Sequence, residues 1–301
     1  MKGNYVAALA VSFVALGAGG CGRHGAPPPR ARQAALADAV RPDFLAAALR
    51  KLGGAHYHAT LKYGLGRAGV APRAITTTTD VWLDRAGNWR LREENDRDGG
   101  REVVLHGREL SVALRYGRMI RRVAEEPEPS RLLEEGLGAP WAAYELCASR
   151  LQADAAAPGE AGRAADYTLA LGTGTAVVAP VRALPLTGLR AWRGAAAIET
   201  LSGRASIDGA TGALLSFDLT TTFTARGESG PEQGTVEVHA TLSEVGATPA
   251  IEKPAAEELS LRQRTVPEAR ELLRGLADPE RQVPARAASG AHDRRQMTGH
   301  K

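Results

Sequence analysis

The period of the apolar pattern changes near residue 55. Residues 34–52 are rich in Ala and Leu, and Gly53-Gly54 follows as a helix stop. Their apolar residues recur at helical spacing and include Phe44, Leu45, Ala48, Leu49 and Leu52. Pro42 with Asp43 predicts the start of the main helix. From Ala55 the period becomes two, which predicts β-strands.

The period of two predicts an antiparallel meander that reaches Val123. The predicted strands are His56–Tyr63, Ala74–Leu83, Asn88–Asn95, Arg101–His106, Glu109–Tyr116 and Arg118–Val123. Short segments rich in Asp and Gly separate several of them. We therefore expect successive strands to pair through short turns.

A helical insert and a second β region follow the meander. Residues 131–152 (RLLEEGLGAPWAAYELCASRLQ) predict a helix that Gly136, Gly138 and Pro140 break into two pieces, and residues 153–163 predict a loop. Further strands are predicted at 166–171, 195–208, 213–226 and 235–242. In the third of these, one face carries Leu215, Phe217, Leu219, Thr221 and Phe223, and the other carries Leu214 with polar residues.

The N-terminus predicts an export signal followed by a lipid anchor. Val6–Leu16 is an apolar run of eleven residues, whereas a helix that spans a bilayer needs about 20. Ala18-Gly19-Gly20 then precedes Cys21, which resembles the lipobox of bacterial lipoproteins, whose Cys is diacylated after cleavage. Ala18 stands where that pattern prefers Leu. A plain secretory signal is the alternative.

The chain therefore divides into four predicted segments. Residues 1–20 form a signal peptide, and residues 21–33 contain the lipidated Cys21 and a tether rich in Pro and Arg. Residues 34–258 form the folded domain. Residues 259–301 hold a short helix at Val266–Leu276 and an unstructured, mildly basic tail.

Composition excludes several classes of function. The 301 residues are 44% hydrophobic and carry a net charge of only +4, without a basic stripe of the kind that follows a nucleic-acid backbone. Nucleic acid is not an expected partner. The two cysteines, Cys21 and Cys147, make neither a zinc spacing nor a disulfide framework. We expect Cys147 to be a small buried residue, with a Cys21–Cys147 bridge as the alternative.

Motifs for catalysis or cofactor binding are weak. Gly64–Gly69 (GLGRAG) matches the dinucleotide fingerprint, but the chain continues into another strand instead of the required helix, so a hairpin loop is the better interpretation. His56 and His58 share one strand face and could bind a metal with His106 or His239; polar surface or cavity positions are the simpler interpretation. No Gly-x-Ser-x-Gly, His-Glu-x-x-His or Walker motif is present. We therefore expect that the protein is not an enzyme and that it binds neither a metal nor a cofactor.

The order of elements resembles the outer-membrane lipoprotein carrier superfamily, with its LolA and LolB carriers and LppX/LprG lipoproteins. The features that carry this resemblance are the helix before the first strand, the hairpins VWLDRAGNWRLRE and EVVLHGRELSV, and the turn IDGATGALLSFDL. It covers residues 34–258 and implies an α+β fold: a strongly curved antiparallel β half-barrel, an unclosed barrel whose concave face is covered by helices.

The resemblance also implies an apolar cavity for acyl chains. Alternation leaves open which strand face is concave. The candidate ligand-binding residues are Trp89, Leu91, Leu110, Val112, Leu114, Trp141, Phe217, Leu219 and Phe223. Trp141 is either a core residue or part of a lid over the cavity. Carriers of this family hold cargo with a cavity-facing Arg, for which the candidates are Arg90, Arg92, Arg101, Arg108, Arg115, Arg118, Arg121 and Arg122.

The expected function is that of a periplasm-facing envelope lipoprotein that binds the acyl chains of a lipid or lipoprotein for transport or presentation. Gly22, where an inner-membrane retention signal would have Asp, favours the outer membrane. One alternative is a sensing or protein-interaction module that contacts an envelope protein partner. Another is a structural domain whose cavity is filled by its own side chains.

Overall fold

The computed structural model describes residues 29–67, 69, 73–155, 164–172, 196–227 and 230–259. The predicted signal peptide, Cys21 and the predicted helix Val266–Leu276 lie outside the described residues.

Two helices precede the sheet. Helix α1 spans Pro29–Val40 and α2 spans Pro42–Lys51. Arg41 between them is extended, as expected for a residue before proline. The start of α2 agrees with the prediction, but α1 begins inside the segment predicted as a tether, 21–33. Its later residues, Leu36 and Val40 among them, are buried, so packing on the domain outweighs the tether-like composition of its first turn.

In the part of the chain that the structure describes, eleven strands form one antiparallel sheet. They are β1 Ala55–Arg67, β2 Arg73–Leu83, β3 Trp89–Asn95, β4 Gly100–His106, β5 Glu109–Leu114, β6 Ile120–Val123, β7 Leu151–Ala155, β8 Ala164–Leu171, β9 Ala197–Asp208, β10 Leu214–Gly227 and β11 Gly230–Ser243. Their order is β6-β5-β4-β3-β2-β1-β11-β10-β9-β8-β7. The long β1–β11 pair joins the meander to the second β region. Since β6 and β7 lie at opposite edges, the sheet is not closed.

The insert between β6 and β7 folds as α3 Glu128–Gly136 and α4 Ala139–Cys147, broken where Gly138 and Pro140 predict it. Strand β7 is a correction, because its residues were predicted as a helix end and a loop. Leu151 and Ala153 are buried and alternate with exposed Gln152 and Asp154. This alternation is too short and too rich in Ala to stand out in the sequence.

The helices cover one face of the sheet. Helix α4 packs against β1, β10 and β11, α3 packs against β2 and β3, and α1 packs against β7 and β9. This arrangement is the predicted α+β half-barrel with helices on the inner face. The opposite face carries polar side chains, such as Thr60, Lys62 and Thr78.

The predicted faces of Leu214 and Leu215 in β10 were wrong. A β-bulge lies between Leu214 and Ser216, where the register with β9 shifts. Leu214 is therefore buried and Leu215 is only half buried, the reverse of the predicted assignment. The faces of Phe217, Leu219, Thr221 and Phe223 agree with the prediction.

After β11 the chain crosses to the far edge of the meander. The backbone N–H of Ile251 donates to Asp84, and Lys253 pairs with Glu109. Leu259 then forms a parallel bridge with Met119, just before β6. Ile251 and Leu259 cover a small apolar cluster on the outer face, made of Val104, Ala113 and Met119. This C-terminal strap, residues 247–259, therefore fastens the end of the domain to the meander.

Candidate apolar binding site

The candidate ligand-binding residues lie on the helix-covered face of the sheet. Trp89 and Leu91 project from β3, Leu110 and Val112 from β5, and Phe217, Leu219 and Phe223 from β10; each is at most 6% exposed. Trp141 on α4 is 2% exposed. Leu114, at the end of β5, is half buried. The structure therefore brings eight of the nine into one buried cluster.

Strand register explains why distant residues meet. In one cross-sheet row, Tyr57 on β1 is opposite Val81, which is opposite Leu91, and the row continues through Val103 to Val112. Residues directly opposite one another in an antiparallel sheet share a face. The pairings thus carry the apolar face across five strands.

The other half of the face is built by β1, β11 and β10. Leu61 is opposite Val238, which is opposite Leu219. Two rows further on the same face, Gly234 lies between Leu65 and Phe223, and a Cβ on Gly234 would overlap with the Phe223 ring. The absence of a side chain at Gly234 therefore lets the Phe223 ring lie across β11.

Helix side chains occupy the space above these rows. The Trp141 and Tyr144 rings stack with their centroids 5.8 Å apart, and Leu132, Leu133 and Leu137 belong to the same buried cluster. Eight of the predicted lining residues are thus buried in one cluster with side chains of α3 and α4.

The apolar stripe of β1 extends beyond this buried part. Ala55, Tyr57 and Ala59 are buried, whereas Leu61, Tyr63 and Leu65 on the same face are only half buried. Ile75, opposite Tyr63, is also half buried. The inner face therefore has a covered end beneath α4 and a partly exposed apolar end.

Two buried ion pairs attach α3 to the meander. Arg101 on β4 is 6% exposed and donates to Glu135 on α3 at 3.0 Å and to Glu93 at 3.4 Å. Burial alone would lower the pKa of Arg101, but the two carboxylates outweigh it and raise that pKa, so the guanidinium stays charged. Arg122 on β6 pairs with Glu128 at the start of α3.

Burial distinguishes Arg101 and Arg122 from other arginines that are candidates for holding cargo. Their side chains are 6% and 8% exposed, respectively, whereas those of Arg90 and Arg92 are about half exposed. Arg101 borders a surface cleft of about 410 Å³ at the ends of β3, β4 and β5, together with Leu114 and Tyr116. This cleft is lined mainly by charged residues, unlike the predicted apolar cavity.

Tyr57 and Tyr144 are site residues that the sequence did not indicate. Each side chain is 1% exposed, and their hydroxyls, like Nε1 of Trp141, are buried without a hydrogen-bond partner. Burial raises the pKa of Tyr57 far above its ordinary value and that of Tyr144 to about 12. Alternation in β1 places Tyr57 on the inner face, but no sequence signal reveals whether a hydroxyl is paired.

His56, His58 and His239 lie on the opposite, polar face. His56 Nε2 and His58 Nδ1 are each 2.8 Å from the same oxygen of Asp80, and His56 stacks on Trp82. His239 bonds to Asp218 instead. Across the described part of the chain, no group of three His, Cys, Asp or Glu residues has an arrangement that could hold a metal ion.

Cys147 is fully buried on α4 and forms no disulfide with a described residue. Burial raises the pKa of its thiol to about 12, although a hydrogen bond with Thr221 opposes the shift. The thiol is therefore protonated and shielded. Cys21 lies outside the described residues, so the lipid anchor stays a prediction.

The Gly64–Gly69 match is not a dinucleotide loop. Gly64 and Gly66 lie within β1, and Gly69 lies in the connection to β2 with φ of +82°. No helix begins there to receive a pyrophosphate. Of the helices between residues 29 and 259 that the structure describes, each is too short or too polar to cross a membrane.

Comparison with known proteins finds similarity in solved structures. No protein-family model and no curated protein matches the chain. A MucB crystal structure is 17% identical over 76% of this chain, with a TM-score of 0.23, and the chain spans 63% of its length. A MucA/MucB complex from Pseudomonas aeruginosa is 18% identical over 74% of this chain and 63% of that chain, with a TM-score of 0.19.

A LolA superfamily protein from Nitrosomonas europaea is 9% identical over 73% of this chain and 97% of its own, with a TM-score of 0.21. Its superfamily is the one that the sequence patterns resemble. TM-scores of this size carry no information about a ligand or a partner of this chain.

Proposed function

We propose that this chain is an envelope lipoprotein, anchored through a lipid on Cys21, whose half-barrel binds an apolar ligand such as the acyl chains of a lipid or lipoprotein. The observation that supports this most is the β1 stripe, whose half-buried residues Leu61, Tyr63 and Leu65 continue directly from the buried inner face. A continuous apolar surface that is partly exposed is typical of a binding site.

Burial of apolar surface drives binding in this proposal. An acyl chain on the β1 stripe gains about 25 cal/mol for each Å² of apolar area removed from water. Further entry displaces helix side chains from the inner face. Helices α3 and α4 have nine residues each and depend on packing for their stability, since isolated helices shorter than about 12–15 residues are marginal in water. They are thus the elements that yield to a ligand.

Lipid analysis of the purified protein tests this function. The full chain with Cys21→Ser, which has no lipid attached, is extracted with organic solvent and the extract is analysed by mass spectrometry. We expect a co-purified acyl lipid, and retention of added lipid by the delipidated protein. A protein that is lipid-free and retains no added lipid would overturn the proposal.

A pair of matched variants locates the site. Leu61→Asp places a charge on the apolar stripe and is expected to abolish lipid retention. Thr60→Asp places the same charge on the opposite face of β1 and is expected to leave retention unchanged. Equal retention by both variants would contradict a site on the inner face.

The anchor places the protein at the periplasmic side of a membrane, and Gly22 favours the outer one. Cys21→Ser removes the site of acylation and is expected to move the protein from the membrane fraction to the soluble periplasmic fraction. Continued membrane attachment of the variant would show that the lipid anchor was misassigned.

The second candidate function is a protein-interaction or sensing module. The β6 edge favours it, because β6 pairs with β5 alone among the described strands and its Val123 is 60% exposed. An edge strand can bind an extended segment of a partner. Cross-linking in cells separates the two functions: a stable protein adduct at β6 supports sensing, and transient lipid adducts at β1 support carriage.

A further inference from the structure

Three buried polar atoms on β1 and α4 have no hydrogen-bond partner. They are the hydroxyls of Tyr57 and Tyr144 and the indole Nε1 of Trp141. Their side chains are 1%, 1% and 2% exposed, and all three belong to the main apolar cluster. Tyr57 projects from β1, the strand on which α4 packs, and α4 carries the other two residues.

Such atoms need an explanation, because a buried polar group without a partner destabilises a fold. The fully buried Thr221 hydroxyl obeys this rule, since it donates to the Thr200 carbonyl at 2.7 Å. Three other buried atoms without a hydrogen-bond partner, Nε of Arg101, Nε of Arg122 and Oε2 of Glu109, belong to charged side chains that are held in ion pairs. The polar atoms of Tyr57, Trp141 and Tyr144 have no such pair, and their side chains lie in the apolar cluster where a ligand is proposed to bind.

All three groups can donate a hydrogen bond. An indole N–H only donates, and a tyrosine hydroxyl can donate. A partner for all three must therefore offer an acceptor oxygen. A bare hydrocarbon has none.

We propose that Tyr57, Trp141 and Tyr144 donate to the carbonyl or carboxylate oxygen of an acyl ligand. This inference rests on the proposed function and narrows its ligand class from apolar molecules in general to those that carry an acceptor oxygen, such as a fatty acid or a fatty ester. The apolar rows of the sheet hold the hydrocarbon, and the three donors select the acyl group over an alkane.

Three fluorescent probes test the inference on the purified, delipidated Cys21→Ser chain. They are cis-parinaric acid, its methyl ester, and diphenylhexatriene, which is a hydrocarbon without an acceptor. The variants are Tyr57→Phe and Tyr144→Phe, each of which removes one hydroxyl and little volume. Tyr116→Phe is the matched control, because Tyr116 is 82% exposed on the turn after β5.

We expect Tyr57→Phe and Tyr144→Phe each to weaken binding of the acid or the ester by about three- to tenfold, the loss of one hydrogen bond. Diphenylhexatriene should bind all proteins equally. Weaker binding of the acid alone identifies a carboxylate as the natural acceptor, and weaker binding of both identifies the carbonyl oxygen; either supports the inference.

Two other results distinguish a failure of this inference from a failure of the proposed function. If all three probes bind and the variants bind them like the unsubstituted protein, the inference is overturned and the apolar site stands. If no probe binds, the proposed function falls and the inference falls with it.

Thermal unfolding of the ligand-free proteins gives an independent readout. Because each hydroxyl is unpaired in the free protein, its removal should leave Tm unchanged or raise it. A lower Tm for both Tyr57→Phe and Tyr144→Phe would show that the hydroxyls are paired inside the free protein, which contradicts the inference.

Discussion

Leu91 occupies the space that a side chain on Gly136 would fill, since a Cβ at Gly136 would overlap with Cδ1 of Leu91. The end of α3 therefore approaches β3 as closely as a glycine allows. Gly136→Ala should push α3 away from the sheet and lower the free energy of unfolding by about 1–3 kcal/mol, the usual cost of overpacking. Urea unfolding measures this change.

Gly138→Ala is the control for this substitution, because the nearest atoms to its Cβ are backbone atoms of Glu135 and Glu134, at 3.1 Å and beyond, and not a side chain of the sheet. Its effect should be smaller. Leu91→Ala should relieve the overlap, so the double variant Gly136→Ala/Leu91→Ala should cost less than the sum of the two single changes. Full stability of Gly136→Ala would show that α3 does not press on β3.

The buried pair of Arg101 and Glu135 should stabilise the attachment of α3. In Glu135→Gln, Glu93 is the one carboxylate that still pairs with the buried Arg101 guanidinium. The substitution should therefore lower the free energy of unfolding by about 1–3 kcal/mol. Arg131→Ala removes the exposed partner of the same carboxylate, 3.6 Å away, and should cost at most about 0.5 kcal/mol. Similar losses for the two variants would contradict a special role for the buried pair.

Acid should loosen the C-terminal strap through Asp84. Burial alone would raise the pKa of this carboxyl, but hydrogen bonds from the Asn88 side chain and from the backbone N–H groups of Ile251, Asn88 and Ala86 together hold it below its ordinary value of 3.8. The stabilisation is therefore complete above that value and is lost as the pH falls through the lower, folded-state pKa.

Asp84→Asn tests this dependence. At pH 7 the variant should be less stable by about 1–2 kcal/mol, because an amide is a weaker acceptor than a carboxylate. The difference should shrink between pH 4 and pH 2, measured by urea unfolding at each pH. Asp98→Asn is the control, since the Asp98 side chain is 84% exposed. A difference that does not change with pH would count against this role of Asp84.

Cys147 should report the opening of α4. In the Cys21→Ser protein it is the single cysteine, and iodoacetamide at pH 8 should modify it at least about 100-fold more slowly than a free thiol. Ser149→Cys in a Cys147→Ala background provides an exposed thiol for comparison. Rapid modification of Cys147 in the native protein would mean that α4 does not seal the core.

Alternation predicted most of the sheet because each strand has one face inside and one outside. It assigned Trp89, Leu91, Leu110 and Val112 to one side of the meander before the concave side was known. It failed where tertiary packing decided the outcome. Helix α1 begins in a Pro- and Arg-rich segment, although only its later residues, such as Leu36 and Val40, carry the burial that supports it, and the bulge near Leu214 reverses the predicted facing of Leu214 and Leu215.

The site was less predictable than the fold. The sequence could not show that helix side chains cover one end of the inner face, or that Arg101 and Arg122 form buried ion pairs with α3. The unpaired state of Tyr57 and Tyr144 depends on what lies around their hydroxyls. These are properties of residues far apart in the chain, and no local pattern encodes them.

Photo-cross-linking tests the binding of an acyl ligand on the inner face most directly. A fatty acid with a diazirine in its chain is bound to the delipidated Cys21→Ser protein, irradiated, and the modified residues are identified by tandem mass spectrometry. We predict adducts at Leu61, Tyr63 and Leu65 on β1 and at residues of α4. Adducts confined to Thr60 and Lys62 on the polar face, or the absence of any adduct, would contradict the account.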